Sequence, residues 1–189
     1  MKKINKILCL LMLAILAFPM LDSCKKGDGD PFISLRSRAG RLKGEWNLTS
    51  GTETGTYGST SYTATYNGTT ATVTYGNQTS SYAHTEKAEY LKDNTFKSTI
   101  LDDTDLTTCE GFWAFMDGYD QVANKECLVL RLKSQTSGGT IQTWTGDDMP
   151  VIIYRINRLS NSEAIMEANG TTVGSSTNTS TLTKTYAKK

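Results

Sequence analysis

The chain has 189 residues, with 20 Lys+Arg, 19 Asp+Glu and a single His, a formal net charge of +1. Near-neutrality argues against a nucleic-acid partner, which needs a basic face, and one imidazole excludes any site built on two. With 29 threonines, nine tyrosines, 16 glycines and only three prolines, the composition is that of an all-β protein, because β-branched and aromatic side chains suit a pleated surface.

Lys2, Lys3 and Lys6 precede an unbroken apolar run from Ile7 to Phe18. The run is too short to cross a hydrocarbon core of ~30 Å as a helix rising ~1.5 Å per residue. A basic start followed by a short apolar stretch is the pattern of an export signal. Leu21-Asp22-Ser23-Cys24 comes next and resembles the bacterial lipobox, with Leu three residues before a cysteine and a small residue just before it. That resemblance implies a lipoprotein signal peptide over residues 1–23 and a lipidated Cys24 as the mature N-terminus. Residues 24–39 then read as a polar, glycine-rich tether. Removing three Lys and one Asp with the leader leaves 17 basic and 18 acidic side chains, neither a polybasic membrane binder nor an acidic tail. The expected location is the outer membrane, lipid-anchored. Whether the chain faces the periplasm or the cell surface is open, since Asp28 and Asp30 resemble a surface-export signal and Lys25-Lys26 interrupt it.

From Trp46 onward, turn signals recur every eight to twelve residues, the spacing of an all-β barrel or sandwich. The clearest unit is Tyr62 to Tyr66, then Asn67-Gly68, then Thr69 to Tyr75. A two-residue Asn-Gly loop predicts Tyr66 opposite Thr69, Ala64 opposite Ala71 and Tyr62 opposite Val73. Gly76-Asn77 predicts Ser80 opposite Val73 and Tyr82 opposite Ala71, and Asp93-Asn94 turns the next hairpin. Further strands are expected over Leu106 to Phe115, Glu126 to Lys133, Thr140 to Thr145, Val151 to Leu159, Glu163 to Ala168 and Thr179 to Ala187. That makes about ten, with one short helix at best in Phe32 to Leu42. Short loops imply up-and-down connectivity, and closure removes exposed edges. An open two-sheet sandwich is the alternative.

Gly44-Glu45-Trp46 resembles the Gly-x-Trp signature of lipocalins. Tyr90 to Phe96, Gly111-Phe112-Trp113, Leu128-Val129-Leu130 and Tyr154 to Ser160 are similar to pieces of an uncharacterised group of lipocalin-like outer-membrane lipoproteins of Gram-negative gut bacteria. The resemblance implies a single lipocalin-like barrel over residues 40–189, with residues 51 to 86 as a polar β-ribbon elaboration. It also implies a structural role for Gly44 and Trp46 at the closed end of the barrel, with Arg155 or Arg158 stacked on the indole.

Little in the sequence suggests catalysis, and the expectation is no enzyme, no cofactor and no metal. His84 lies on a threonine-rich strand without a nucleophile elbow and reads as an ordinary exposed strand residue. The groups Asp102-Asp103-Thr104-Asp105 and Asp117-Gly118-Tyr119-Asp120 lack a complete calcium series and sit where turns are expected. Cys109 and Cys127 are the only cysteines left in the mature body. In an exported chain they are either a disulfide or two buried thiols, and strand parity fits the disulfide poorly. The most suggestive surface is aromatic. Tyr62, Tyr66, Tyr75 and Tyr82, with Trp113 and Trp144, are candidate ligand contacts, since such rings offer flat apolar area and a polar handle; the alternative is packing. The expected function is non-covalent binding of a small hydrophobic or glycan-like ligand. The rival is a non-catalytic module partnering another envelope protein.

Overall fold

The computed structural model describes residues 37–117, 126–171 and 179–189. The leader, Cys24, the tether up to residue 36 and most of Asp117-Gly118-Tyr119-Asp120 lie outside the described residues. A short helix, α1 (Arg38–Leu42), is capped by Ser37, whose side chain accepts from the Gly40 N–H. The strands are β1 (Gly44–Tyr57), β2 (Thr60–Tyr66), β3 (Thr70–Tyr75), β4 (Gln78–Tyr90), β5 (Thr95–Asp102), β6 (Asp105–Asp117), β7 (Glu126–Ser137), β8 (Thr140–Thr143), β9 (Val151–Leu159), β10 (Glu163–Thr171) and β11 (Thr179–Lys188). All pair antiparallel. Ten form a closed up-and-down barrel, because β6 also pairs with β7, and β8 is an extra strand on the upper part of β7. The expected barrel with a polar ribbon is therefore the observed fold, and closure excludes the sandwich.

The barrel changes its strand number along its axis. At one end β1 pairs directly with β4, Gly44 opposite Tyr90 and Asn47 opposite Lys87, so the ring there is β1, β4, β5, β6, β7, β9, β10 and β11. Higher up, the β2–β3 hairpin stands between β1 and β4, raising the ring to ten. The hairpin tip wedges against β1. A Cβ on Gly68, at φ +89°, would lie 2.9 Å from the Leu48 carbonyl oxygen, and β1 slips register against β11 between Leu48 and Ser50.

The β2–β3 register corrects the sequence expectation. Tyr66 pairs with Ala71, Ala64 with Val73 and Tyr62 with Tyr75, two residues from the predicted partners on the same face. Asn67 is the reason. Its Oδ1 accepts from the backbone N–H of Thr69 at 3.1 Å and Thr70 at 2.8 Å and from the Thr69 hydroxyl. This Asx turn places Asn67 before the bend instead of inside it. The β3–β4 pairing is as expected, with Ala71 opposite Tyr82 and Val73 opposite Ser80.

The eight-stranded end is filled. Trp46, Leu48, Tyr90, Phe96, Trp113, Leu128, Ile156, Leu159, Met166 and Tyr186 form its core, and Leu42 of α1 is fully buried against them. The Trp46 indole N–H donates to the Leu42 carbonyl at 2.6 Å, tying the helix across this end. The cation over the Trp46 ring is Lys188, 5.1 Å from its centroid, instead of an arginine. Arg155 and Arg158 are engaged elsewhere, with Glu167 and Glu163.

The expected disulfide is also corrected. Cys109 stands opposite Gln135, while Cys127 stands opposite Met116, and both are free thiols. Seven residues of β6 separate the two positions, at ~3.4 Å each, far beyond the ~7 Å that a disulfide spans between Cα atoms.

Candidate functional site

Strand alternation decides which side chains enter the barrel, and above the core it sends in charge. On β4 the inward series Tyr90, Ala88 continues to Glu86 and His84, and on β11 Tyr186 continues to Lys184, both buried. Lys184 donates to Glu86 past the intervening β1, and the Tyr186 hydroxyl donates to the other Glu86 oxygen at 2.6 Å. Burial pulls the Lys184 ammonium down, but Glu86, Tyr154 and Glu53 together outweigh it and leave the pKa raised. The Tyr186 phenol is pushed well up by burial and then by Glu86.

Beside this triad lies a cavity of about 110 Å³. Its polar side is Glu86, Lys184, Tyr186, Tyr154, Ser98 and Cys109; its apolar side includes Phe96, Leu130, Leu132, Ile152 and Met166. Burial raises the Tyr154 phenol, with Lys184 opposing and Glu86 adding, and burial likewise raises the Cys109 thiol, with Ser98 opposing. Both groups are neutral hydrogen-bonding groups at physiological pH.

A second cluster stands above, where the β2–β3 hairpin widens the ring. Glu53, inward on β1 between Gly51 and Gly55, accepts from the Tyr62 hydroxyl at 2.7 Å and the Tyr66 hydroxyl at 3.4 Å. The Tyr66 ring is 4.8 Å from His84 and lies 6.0 Å below the Lys184 ammonium, so it joins the two clusters. Tyr82 meets His84 edge-on at 6.5 Å.

His84 is corrected from exposed to buried, at 5% accessible. Its parity, not its threonine-rich neighbours, decides its side. Its Nδ1 lies 2.6 Å from Asp102 Oδ1, and because a carboxylate oxygen accepts, Nδ1 carries the proton. Nε2 is buried without a hydrogen-bond partner. The acidic group of Asp102 and its neighbours is a turn, as expected, with Asp103 at φ 48° and its Oδ1 accepting from the Ala83 N–H.

Of the candidate contacts, the structure gathers Tyr62, Tyr66 and Tyr82 around Glu53 and His84. Tyr75 stands on the rim, 42% exposed. Trp113 belongs to the closed-end core, edge-on to Tyr90 and Phe115, and Trp144 packs half-buried against the core from the β8–β9 connection. Glu53, Glu86, Lys184, Tyr154 and the His84–Asp102 pair were not anticipated. The available signal was a charged residue at an inward parity: Glu86 lines up with Ala88 and Tyr90, and Lys184 with Leu182 and Tyr186. Among the described residues no group of three or more His, Cys, Asp or Glu is placed to hold a metal ion. No protein-family model, curated protein or solved structure matches the chain.

Proposed function

We propose that the protein is a lipid-anchored envelope lipoprotein whose barrel captures a small ligand non-covalently. The observation that carries this reading is the interior cavity of about 110 Å³ with a charged wall and an apolar wall. A barrel interior built only for packing would be closed with apolar and aromatic side chains, as the other end is. A cavity below the usual pocket range of ~300–1,000 Å³ selects a compact ligand, nearer benzene, which occupies an engineered cavity of ~150 Å³. The mixed lining selects one with both a polar and an apolar side. Anchoring through Cys24 is supported by the leader and lipobox; several acyl chains on one cysteine hold stably where a single chain is marginal.

Native mass spectrometry of the protein taken from its own host tests the reading. A bound small molecule released on denaturation is the expected result, and Glu86→Leu should abolish its retention. A clean apo mass would overturn ligand capture. It would favour a second reading, an interaction module partnering another envelope protein. The observation behind that reading is β8, whose four residues are all exposed, Ile141 at 67%, and which pairs along one side only, with β7. An unpaired, uncharged edge accepts a strand from a partner. Loss of Cys24 acylation should leave the barrel folded but release it from the membrane.

A further inference from the structure

We infer that the ligand is a small protonated amine, received at the barrel mouth by the Glu53 carboxylate and His84 Nε2 between the rings of Tyr62, Tyr66 and Tyr82. This rests on the reading that the barrel binds a ligand, and it names the chemical class.

Three independent observations converge. The first is charge. Among the described residues the inward-facing acidic side chains of the middle and upper barrel are Glu53, Glu86 and Asp102, with Asp105 beside Asp102 at the rim; Lys184 opposes them, and it is engaged with Glu86. The described interior therefore holds more carboxyl groups than ammonium groups. The low dielectric of a barrel interior magnifies that imbalance.

The second is donor and acceptor accounting. In the neutral imidazole with Nδ1 donating to Asp102, Nε2 is the acceptor. It sits at the ring end remote from the backbone, which for an inward side chain is the interior, and it is buried without a partner. Leaving such a group unsatisfied costs ~1–3 kcal/mol. Glu53 has two of its roughly four lone-pair directions filled, by Tyr62 and Tyr66. Both the Glu53 carboxylate and the His84 acceptor call for N–H donors, and an ammonium group supplies three.

The third is the aromatic surround. Tyr66 and Tyr82 flank His84, and Tyr62 and Tyr66 flank Glu53. Ring faces attract a cation and offer no comparable benefit to an anion. The same negative field shows in the phenols themselves: burial raises Tyr62, Tyr66 and Tyr82, and Glu53 raises each further. Lys184, whose ammonium stands over the Tyr66 ring, also lines the cavity, whose apolar side of Ile152, Leu132 and Met166 suits the hydrocarbon part of an amine.

The chain has one histidine, so a ¹⁵N-imidazole label reports on His84 alone. The test uses the full chain solubilised in detergent and three probes on one frame: benzylamine, benzyl alcohol and benzoate. Benzylamine should shift the Nε2 resonance and bind about tenfold or more tighter than benzyl alcohol, the factor set by one charge-assisted contact, with benzoate weakest. Glu53→Gln should remove that advantage, bringing benzylamine down to the affinity of benzyl alcohol. The order among the probes is read on the unaltered chain and stands even if the variant misfolds. If benzyl alcohol or benzoate binds as tightly as benzylamine, the amine assignment falls while ligand capture survives. If none of the three perturbs His84 or any interior resonance, both fall.

Discussion

Lys184→Met separates a structural ion pair from an incidental one. The Lys184 and Glu86 side chains are only 11% and 7% exposed, so removing the ammonium leaves a carboxylate inside the barrel with the Tyr186 hydroxyl as its remaining donor. An exposed pair contributes ~0–1 kcal/mol; breaking a buried one by removing a single partner costs ~3–5 kcal/mol. The burial here selects the second range, and the surviving Tyr186 bond selects its lower end, about 3 kcal/mol. For a domain of this size that is a Tm lower by ~6–12 °C. Urea unfolding at neutral pH, followed by the fluorescence of buried Trp46 and Trp113, measures it. The companion variant is Glu86→Met with Lys184→Met and Tyr186→Phe, which removes both charges and the hydroxyl together. It should fall within ~1 kcal/mol of the unaltered chain or exceed it, because a well-packed apolar replacement avoids the desolvation of two ions. The pH dependence has a definite sign. The Lys184 pKa is raised from its ordinary value of 10.5, so the pair's contribution is fully present below that value and is lost only as pH rises through the higher folded value. A loss under ~1 kcal/mol for Lys184→Met, or a triple variant no more stable than the single one, would refute the reasoning.

Three other changes test the fold. Trp46→Phe removes the indole bond to Leu42 and the ring under Lys188; a loss of ~2–3 kcal/mol is expected, together with faster proteolysis at α1, whereas an unchanged Tm would mean that the helix is not tied to this end. Gly111→Ala should leave little soluble protein or lower stability by ~3 kcal/mol or more, since its Cβ would lie 2.0 Å from the Arg131 carbonyl oxygen and 3.0 Å from Phe96. A soluble variant of normal Tm would refute the close β6–β7 approach. Cys109 and Cys127 of the barrel should both titrate as free thiols in urea without reductant. When folded the barrel should alkylate slowly at pH 8, because burial raises Cys109 and Cys127 above the usual value of 9.0 and keeps their thiolate fractions small; an absence of titratable thiol would restore the disulfide and overturn the β6–β7 register.

Where side-chain period and turn chemistry act locally, the sequence is legible. The β9 limits, the Gly76-Asn77 hairpin and the structural place of Trp46 all follow from alternation, turn residues or the Gly-x-Trp resemblance. The β2–β3 register did not, because Asn-Gly admits two placements and only the side-chain bonds of Asn67 choose between them. The site was legible in part. Tyr62, Tyr66 and Tyr82 share a parity and do meet. Their centre, Glu53, is recognisable only once β1 is known to keep its alternation through Gly51 and Gly55. His84 was misread because neighbours along a strand face opposite ways, so polarity before and after it says nothing about its own surroundings. The Glu86–Lys184 pair joins residues 98 apart in the chain, a distance at which no local signal exists.

The change in strand number accounts for the placement of all this polarity. A barrel's diameter grows with its strands, and eight give an interior that side chains just fill, as Trp46, Trp113, Phe96 and Ile156 do at the closed end. Inserting β2–β3 raises the count to ten, wider than aliphatic side chains on ten strands can close. The transition falls on β4 between Ala83, the last residue paired with β3, and Lys87, the first paired with β1. His84 and Glu86 are the inward residues of that interval, and the His84 N–H bonds to the Thr69 carbonyl of the wedge itself. Beside them β1 slips its register at Leu48/Ser50, and a Cβ on Gly51 would lie 3.2 Å from Tyr66 and 3.4 Å from Lys184, so the glycine leaves space for both. Charged and phenolic side chains therefore occur where the wall is forked and the interior cannot be closed by packing. The long polar segment between Gly51 and Glu86 is the element that creates the mouth, and its inward residues are those that furnish it.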